Sequence, residues 1–209
     1  MKGQFFLISG IVIVIVLFLI KSSLSLSRII EDKRNLETSV EREEFLNVKN
    51  ALIKTVEYSY NKNESEKIEN YLKYVRERLK SRTIELNGIA VESIYKNVTA
   101  SADSNLNVTV YNFLGETIKN LTLDFNGSVE QHYNVEDGKS VSSSFLFNTA
   151  SNANYILSVN YTTSKEIKQY RIVIHVELGK SKFVGFFDLR MKSFTAENRD
   201  EFSKIVEIV

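Results

Sequence analysis

YILSVNYTTSKEIKQYRIVIHV, residues 155–176, carries the pattern that decides the fold. Tyr155, Leu157, Val159 and Tyr161 alternate with mostly polar neighbours, and Tyr170, Ile172, Ile174 and Val176 repeat the pattern. Successive side chains of a strand point to opposite faces, so a period of two in β-branched and aromatic residues marks a half-buried strand. His175 shares the phase of Arg171 and Val173, opposite Ile172 and Ile174, which places it on the outer face.

Outward from this pair the alternation recurs. It is present in Leu106, Val108 and Val110, in Leu121, Leu123 and Phe125, and in Phe145 with Phe147. Turn residues fall between the runs. Asn126-Gly127 suits a two-residue type I′ hairpin, where both central residues need a positive φ. Glu136-Asp137-Gly138, the polar residues 148–154 and Gly179-Lys180-Ser181 mark further turns. With residues 84–95, a short strand at 129–135 and a run at 183–191, roughly seven or eight strands follow one another, the signature of an antiparallel immunoglobulin-like sandwich over residues 84–192. The charged tail, residues 193–209, carries Phe202, Ile205, Val206 and Ile208 and reads as a short terminal helix or an edge strand.

Upstream the period lengthens. Residues 27–83 are charged and helix-friendly, a stalk or a hairpin. Thr38 followed by Glu41 reads as a capping box, opening a new helix or re-phasing the first. Phe45, Val48, Leu52, Val56 and Tyr60 draw one apolar stripe at spacings of three and four. Asn61-Lys62-Asn63 interrupts it, and Asn63 with Glu66 is a second cap signal. Ile68, Tyr71, Leu72, Val75 and Leu79 draw the next stripe, so the segment predicts an αα-hairpin. The spacing is nearer 3.6 than a heptad, which favours packing on each other and on the β domain over a coiled coil. Lys73, Arg76, Arg78, Lys80 and Arg82 form a basic run of the kind that suits a solvated helix C-terminus.

The chain opens MKGQFFLISGIVIVIVLFLI, an apolar run over residues 5–20 closed by Lys21. As a helix it reaches about 24 Å, against a hydrocarbon core of roughly 30 Å, and the serine-rich residues 22–27 add a turn or two. Residues 1–26 therefore read as a leader and transmembrane helix. The rival is a cleaved secretory signal, with Ser23-Leu24-Ser25 or Ser25-Leu26-Ser27 as small-x-small sites. Counted strictly, Lys21, Arg28, Lys33 and Arg34 against Lys2 would put the C-terminal side in the cytoplasm. The exported character of the β domain overrides that count, and the expected location is the cell membrane, single-pass, with the β domain extracytoplasmic.

Lys2-Gly3-Gln4 followed directly by an apolar helix resembles the class III signal of archaeal prepilins and archaellins. The resemblance implies cleavage after Gly3, with Gln4 as the mature N-terminus and the apolar helix kept as the packing core of a filament. The leader is shorter than is usual there, and Ile8 stands where that family commonly has a glutamate. Asn107-Val-Thr-Val-Tyr-Asn-Phe-Leu-Gly, with Asn120-Leu-Thr-Leu, is similar to the opening strands of microbial surface β-sandwich modules.

Composition narrows the functions. Lys+Arg 27 against Asp+Glu 26 leaves a net charge of +1, without the basic excess a nucleic-acid partner would want. There is no cysteine, so neither a disulfide framework nor a thiol nucleophile is available. His132 and His175 have no metal-ligand spacing around them, and Asp124, Glu136 and Asp137 lack EF-hand order. No GxSxG, P-loop or GxGxxG occurs. Asn63, Asn97, Asn107, Asn120, Asn126 and Asn160 each stand in Asn-x-Ser/Thr, the acceptor triplet of N-glycosylation. The expectation is an α+β chain: a transmembrane helix, a helical hairpin and an immunoglobulin-like β-sandwich. No enzyme activity, cofactor or metal is expected. The expected role is a pilin-like structural or adhesive subunit, with the membrane and other subunits as partners. The alternative is a monomeric single-pass protein whose sandwich binds a ligand or a partner protein.

Overall fold

The computed structural model describes residues 2–61, 66–193 and 196–208. Among them are two helices, α1 (Lys2–Asn61) and α2 (Glu66–Lys80), and nine strands. The strands are β1 (Glu85–Tyr95), β2 (Asp103–Phe113), β3 (Ile118–Phe125), β4 (Ser128–Val135), β5 (Ser140–Asn148), β6 (Ala153–Thr162), β7 (Ile167–Val176), β8 (Ser181–Lys192) and β9 (Glu197–Ile208). The tail expected as helix or edge strand is β9, antiparallel to β8 along its whole length.

Thr38 does not begin a helix. α1 runs through it, and its hydroxyl donates to the carbonyl of Arg34 at 2.9 Å, one turn back. Its hydroxyl is thus turned back along the helix instead of forward to cap a new one, and the flanking Arg, Glu and Leu residues favour continuation. The second cap signal and the sequon at Asn63 lie outside the described residues. Among the residues whose side chains are described, no helix is long and apolar enough to cross a membrane. Residues 5–20 contribute only Val16 and Phe18 to that set, so the span stands on the sequence.

The chain divides into Met1–Glu44 and Phe45–Val209. The first is the leading part of α1, with Ile30, Leu36 and Val40 exposed on it. The second holds the rest of α1, α2 and two antiparallel sheets. One sheet has the order β5-β2-β1-β8-β9, the other β4-β3-β6-β7. Asn126 (φ 52°) and Gly127 (φ 85°) join β3 to β4 with Phe125 opposite Ser128, the two-residue hairpin the dipeptide predicts.

Two cores result. One lies between the sheets and includes Ile89, Val91, Leu106, Leu121, Phe125, Phe145, Val159 and Ile174. The other lies between the five-stranded sheet and the helices. There Phe45, Val48, Leu52, Val56 and Tyr60 of α1, with Ile68, Leu72, Val75 and Leu79 of α2, meet Ala90, Tyr111, Phe113, Phe183, Phe187 and Met191. The larger sheet is thus covered on both faces, which is why β1 and β8 read as near-continuous buried runs. Gly185 is required by close packing: a Cβ there would come within 2.8 Å of the rings of both Phe183 and Phe187.

Contacts along β9 fix the direction of α1 in this second unit. Lys49 pairs with Asp200 and Glu57 with Lys204, each at 2.5 Å. Tyr60 stacks on Phe183 at 3.7 Å, and Phe183 stands opposite Val206. From Phe45 onward α1 therefore runs alongside β9 in the same sense. The end of the sandwich where β1 and β9 begin is here called the proximal end. The β1–β2, β3–β4, β5–β6 and β7–β8 connections gather at the opposite, distal end, as the strand directions require.

Candidate functional site: a charged cleft at the proximal end

At the proximal end the two sheets leave a cleft of about 320 Å³. Strands β1 and β8 and the β2–β3 and β6–β7 connections supply its walls, with Arg199 of β9 at one side. Its organising residue is Asp188 of β8, 5% exposed on the inner face of the larger sheet. Arg199 Nε donates to Oδ1 at 2.9 Å and Nη2 to Oδ2 at 2.5 Å. The Tyr170 hydroxyl and Lys168 Nζ of β7 donate to Oδ2 at 2.5 and 3.0 Å. Burial alone would raise the Asp188 pKa, but the donors of Arg199, Tyr170 and Lys168 outweigh it and hold the carboxyl below its ordinary value. Arg199 is pushed up in turn, chiefly by its bonds to Asp188.

Four donors hold this carboxylate as an anion, three of them on Oδ2 and one on Oδ1. Its chemistry is structural: one anion gathers donors from β7 and β9 and so joins the two sheets at their common edge. Charged side chains line the cleft, and several of them are paired. Arg190 meets Glu197 at 3.0 Å, Lys165 meets Glu116 at 3.9 Å, and the Tyr161 hydroxyl donates to Glu166 at 2.9 Å. Glu116 sits below the ordinary carboxylate value, held there first by the Ser164 hydroxyl. Such a cleft can recognise polar groups.

A second buried carboxyl lies on the other face of the same sheet. Glu92 of β1 is 3% exposed under the helical hairpin and accepts a hydrogen bond from the Tyr111 hydroxyl. Its Oε1 has no hydrogen-bond partner. Burial pushes its pKa up to about 7, against the opposing effect of the Tyr111 bond.

The residues expected from sequence stand apart. His132 meets Ser143 at 2.7 Å in the inter-strand region, while His175 meets Asn154 at 2.5 Å on the outer face. Asp124 accepts the Gly127 N–H in the distal hairpin, whereas Asp137 binds Arg76 and the Gly115 N–H at the proximal end. Among the described residues no group of three or more His, Asp or Glu could hold a metal ion. The basic run of α2 is partly engaged, Lys73 with Glu69 and Arg76 with Asp137. Gly3 and Gln4 stand in the first turn of α1, and their side chains lie outside the described ones.

Asn97, Asn107 and Asn126 are exposed, while Asn120 and Asn160 are half-buried. The last two lie on adjacent central strands, each opposite the other's threonine, Asn120 with Thr162 and Asn160 with Thr122. Neither Asp188 nor Glu92 was singled out by pattern, yet each left a trace: a lone carboxylate within an apolar run, GFFDLRM and GIAVESIY. No known protein family matches the sequence, and no curated protein does.

Proposed function

We propose that this chain is a membrane-anchored surface protein, a pilin-like structural or adhesive subunit of an extracellular filament. Residues 5–20 hold it in the cell membrane, and Phe45–Val209 forms an extracytoplasmic head. The observation that carries the reading is α1 itself: a single helix that includes the apolar run, the charged stretch after it and the stripe that docks on the head. A retained helix of this kind suits a class III leader cut between Gly3 and Gln4. The exposed Ile30, Leu36 and Val40 give it apolar surface outside the membrane segment. The strand order of β1 to β7, β5-β2-β1 facing β4-β3-β6-β7, supports an immunoglobulin-like head.

A second reading, a monomeric single-pass protein whose sandwich binds a ligand or partner protein, is favoured by one observation. From Phe45 on, α1 buries its stripe against its own sheet and α2, and so withholds it from neighbouring copies.

Electron microscopy of cells carrying the wild-type chain and Gly3→Val separates the two. The filament reading expects filaments from the wild type and their loss in the variant, with the uncut chain held in the membrane. Filaments indifferent to Gly3→Val, or none from either chain, would favour the lone anchor. A membrane-impermeant label that reaches the head only in broken cells would overturn the orientation in both readings.

A further inference from the structure

Five of the six acceptor triplets lie in described residues, and the structure separates them by their middle residue. In four it is a core side chain: Val98, Val108 and Leu121 are 0% exposed and Tyr161 is 1% exposed. In the fifth, Asn126-Gly127-Ser128, all three residues are exposed, and nothing lies within 4 Å of a Cβ built on Gly127.

The strand triplets are fixed further. Asn107 lies in β2 between β1 and β5, and its Thr109 hydroxyl is bonded to Ser142 at 2.9 Å. Asn120 and Asn160 sit in the two central strands of the smaller sheet, each opposite the other's threonine. Asn97 is in a loop, but its N–H donates to Ser181 Oγ at 2.9 Å and Val98 is plugged into the distal end of the core. A transferase must take the whole triplet into its groove. Lifting four of these five would pull an apolar side chain from the core or break a two-sided ladder, whereas the tip of the β3–β4 hairpin needs no such opening. The strand beyond it, β4, is an edge strand with little buried.

We infer that Asn126 is the described triplet that accepts an N-linked oligosaccharide on the folded head. The donor class is a lipid-linked oligosaccharide phosphate. The anomeric C1–O bond to phosphate breaks, a C1–Nδ2 bond forms, and Nδ2 gives up one proton as the phosphate departs. The sugar would stand at the distal end, beside the start of β4 and the exposed Val129, where it would obstruct strand addition to that open edge. Its biological setting rests on the proposal that the head is exported.

The test is an in vitro transfer: folded full-length chain in detergent, an N-glycosylating membrane extract, a lipid-linked oligosaccharide, and glycopeptide mass spectrometry. Short peptides spanning Asn97, Asn107, Asn120 and Asn160 serve as unfolded controls. The expected result is sugar at Asn126 of the folded chain and on the peptides, with Asn97, Asn107, Asn120 and Asn160 bare in the folded chain. Ser128→Ala should abolish the mass increment, and Thr122→Ala should leave it unchanged. Sugar on Asn120 or Asn160 of the folded chain, equal labelling at Asn97 or Asn107, or a bare Asn126 would overturn the inference. A chain that is labelled at Asn126 in vitro but unsugared in glycosylating cells would count against export and leave the acceptor assignment standing.

Discussion

Glu92 is the residue whose chemistry the fold changes most usefully. In the unfolded chain its carboxyl titrates at its ordinary 4.5, and in the folded chain at about 7. Between those values the folded state holds a proton that the unfolded state has lost, so stability is fully present below pH 4.5 and falls as pH rises through 7. The difference amounts to about 3 kcal/mol. Denaturant unfolding between pH 5 and 8 should show this decline, and Glu92→Gln, which keeps an acceptor for Tyr111, should flatten it and be the more stable chain at pH 8. A wild-type profile already flat over that range would contradict the assignment. Asp188 behaves oppositely because it is paired. Asp188→Asn would leave Arg199 and Lys168 without their common anion, and a loss of about 3 kcal/mol is expected in the same unfolding assay. Both carboxyls are written into apolar runs, but the partners that distinguish them are remote. Tyr170 is 18 residues from Asp188 in sequence and Tyr111 is 19 from Glu92, so spacing alone could not tell a paired acid from a protonated one.

The elements were legible to different degrees. The stripes of α1 and α2 could be read because each buries one face, and among the described side chains all nine buried ones on these helices are residues that the 3.6 period marks. Strands β3, β5, β6 and β7 alternate cleanly because one face of each meets the core and the other solvent. In β1 and β8 the alternation fades under the second layer that the helices supply. The order of strands was not legible, since pairings such as β1 with β8 join residues nearly a hundred positions apart, beyond the reach of any local pattern. Docking of the hairpin can be tested directly. Leu52 is fully buried between α1 and the sheet, and Leu52→Ala should cost about 3 kcal/mol in chemical unfolding. Gly185→Ala would force a methyl between Phe183 and Phe187 and should cost roughly 1–3 kcal/mol. A Gly185→Ala chain as stable as the wild type would mean that the two rings are free to part.

For the whole molecule, the two units make different demands. The unit Phe45–Val209 contains both cores, so a fragment of that span should unfold in one cooperative transition, followed by circular dichroism against urea. A fragment of residues 84–209 would bare Ala90, Tyr111, Phe113, Phe187 and Met191, and it is expected to bind a hydrophobic dye and aggregate. The proposed work of the leading unit is anchorage, and its Lys2-Gly3-Gln4 is the proposed processing signal on which the filament reading depends. Lys2-Gly3-Gln4 is a short motif, but it makes a definite statement about a covalent bond. Intact mass of the mature protein, extracted from the membranes of cells that cut class III leaders, tests that statement most directly. A chain beginning at Gln4, with the apolar helix retained, is the predicted result. An intact Met1, or a chain beginning near Leu26 or Arg28, would contradict it.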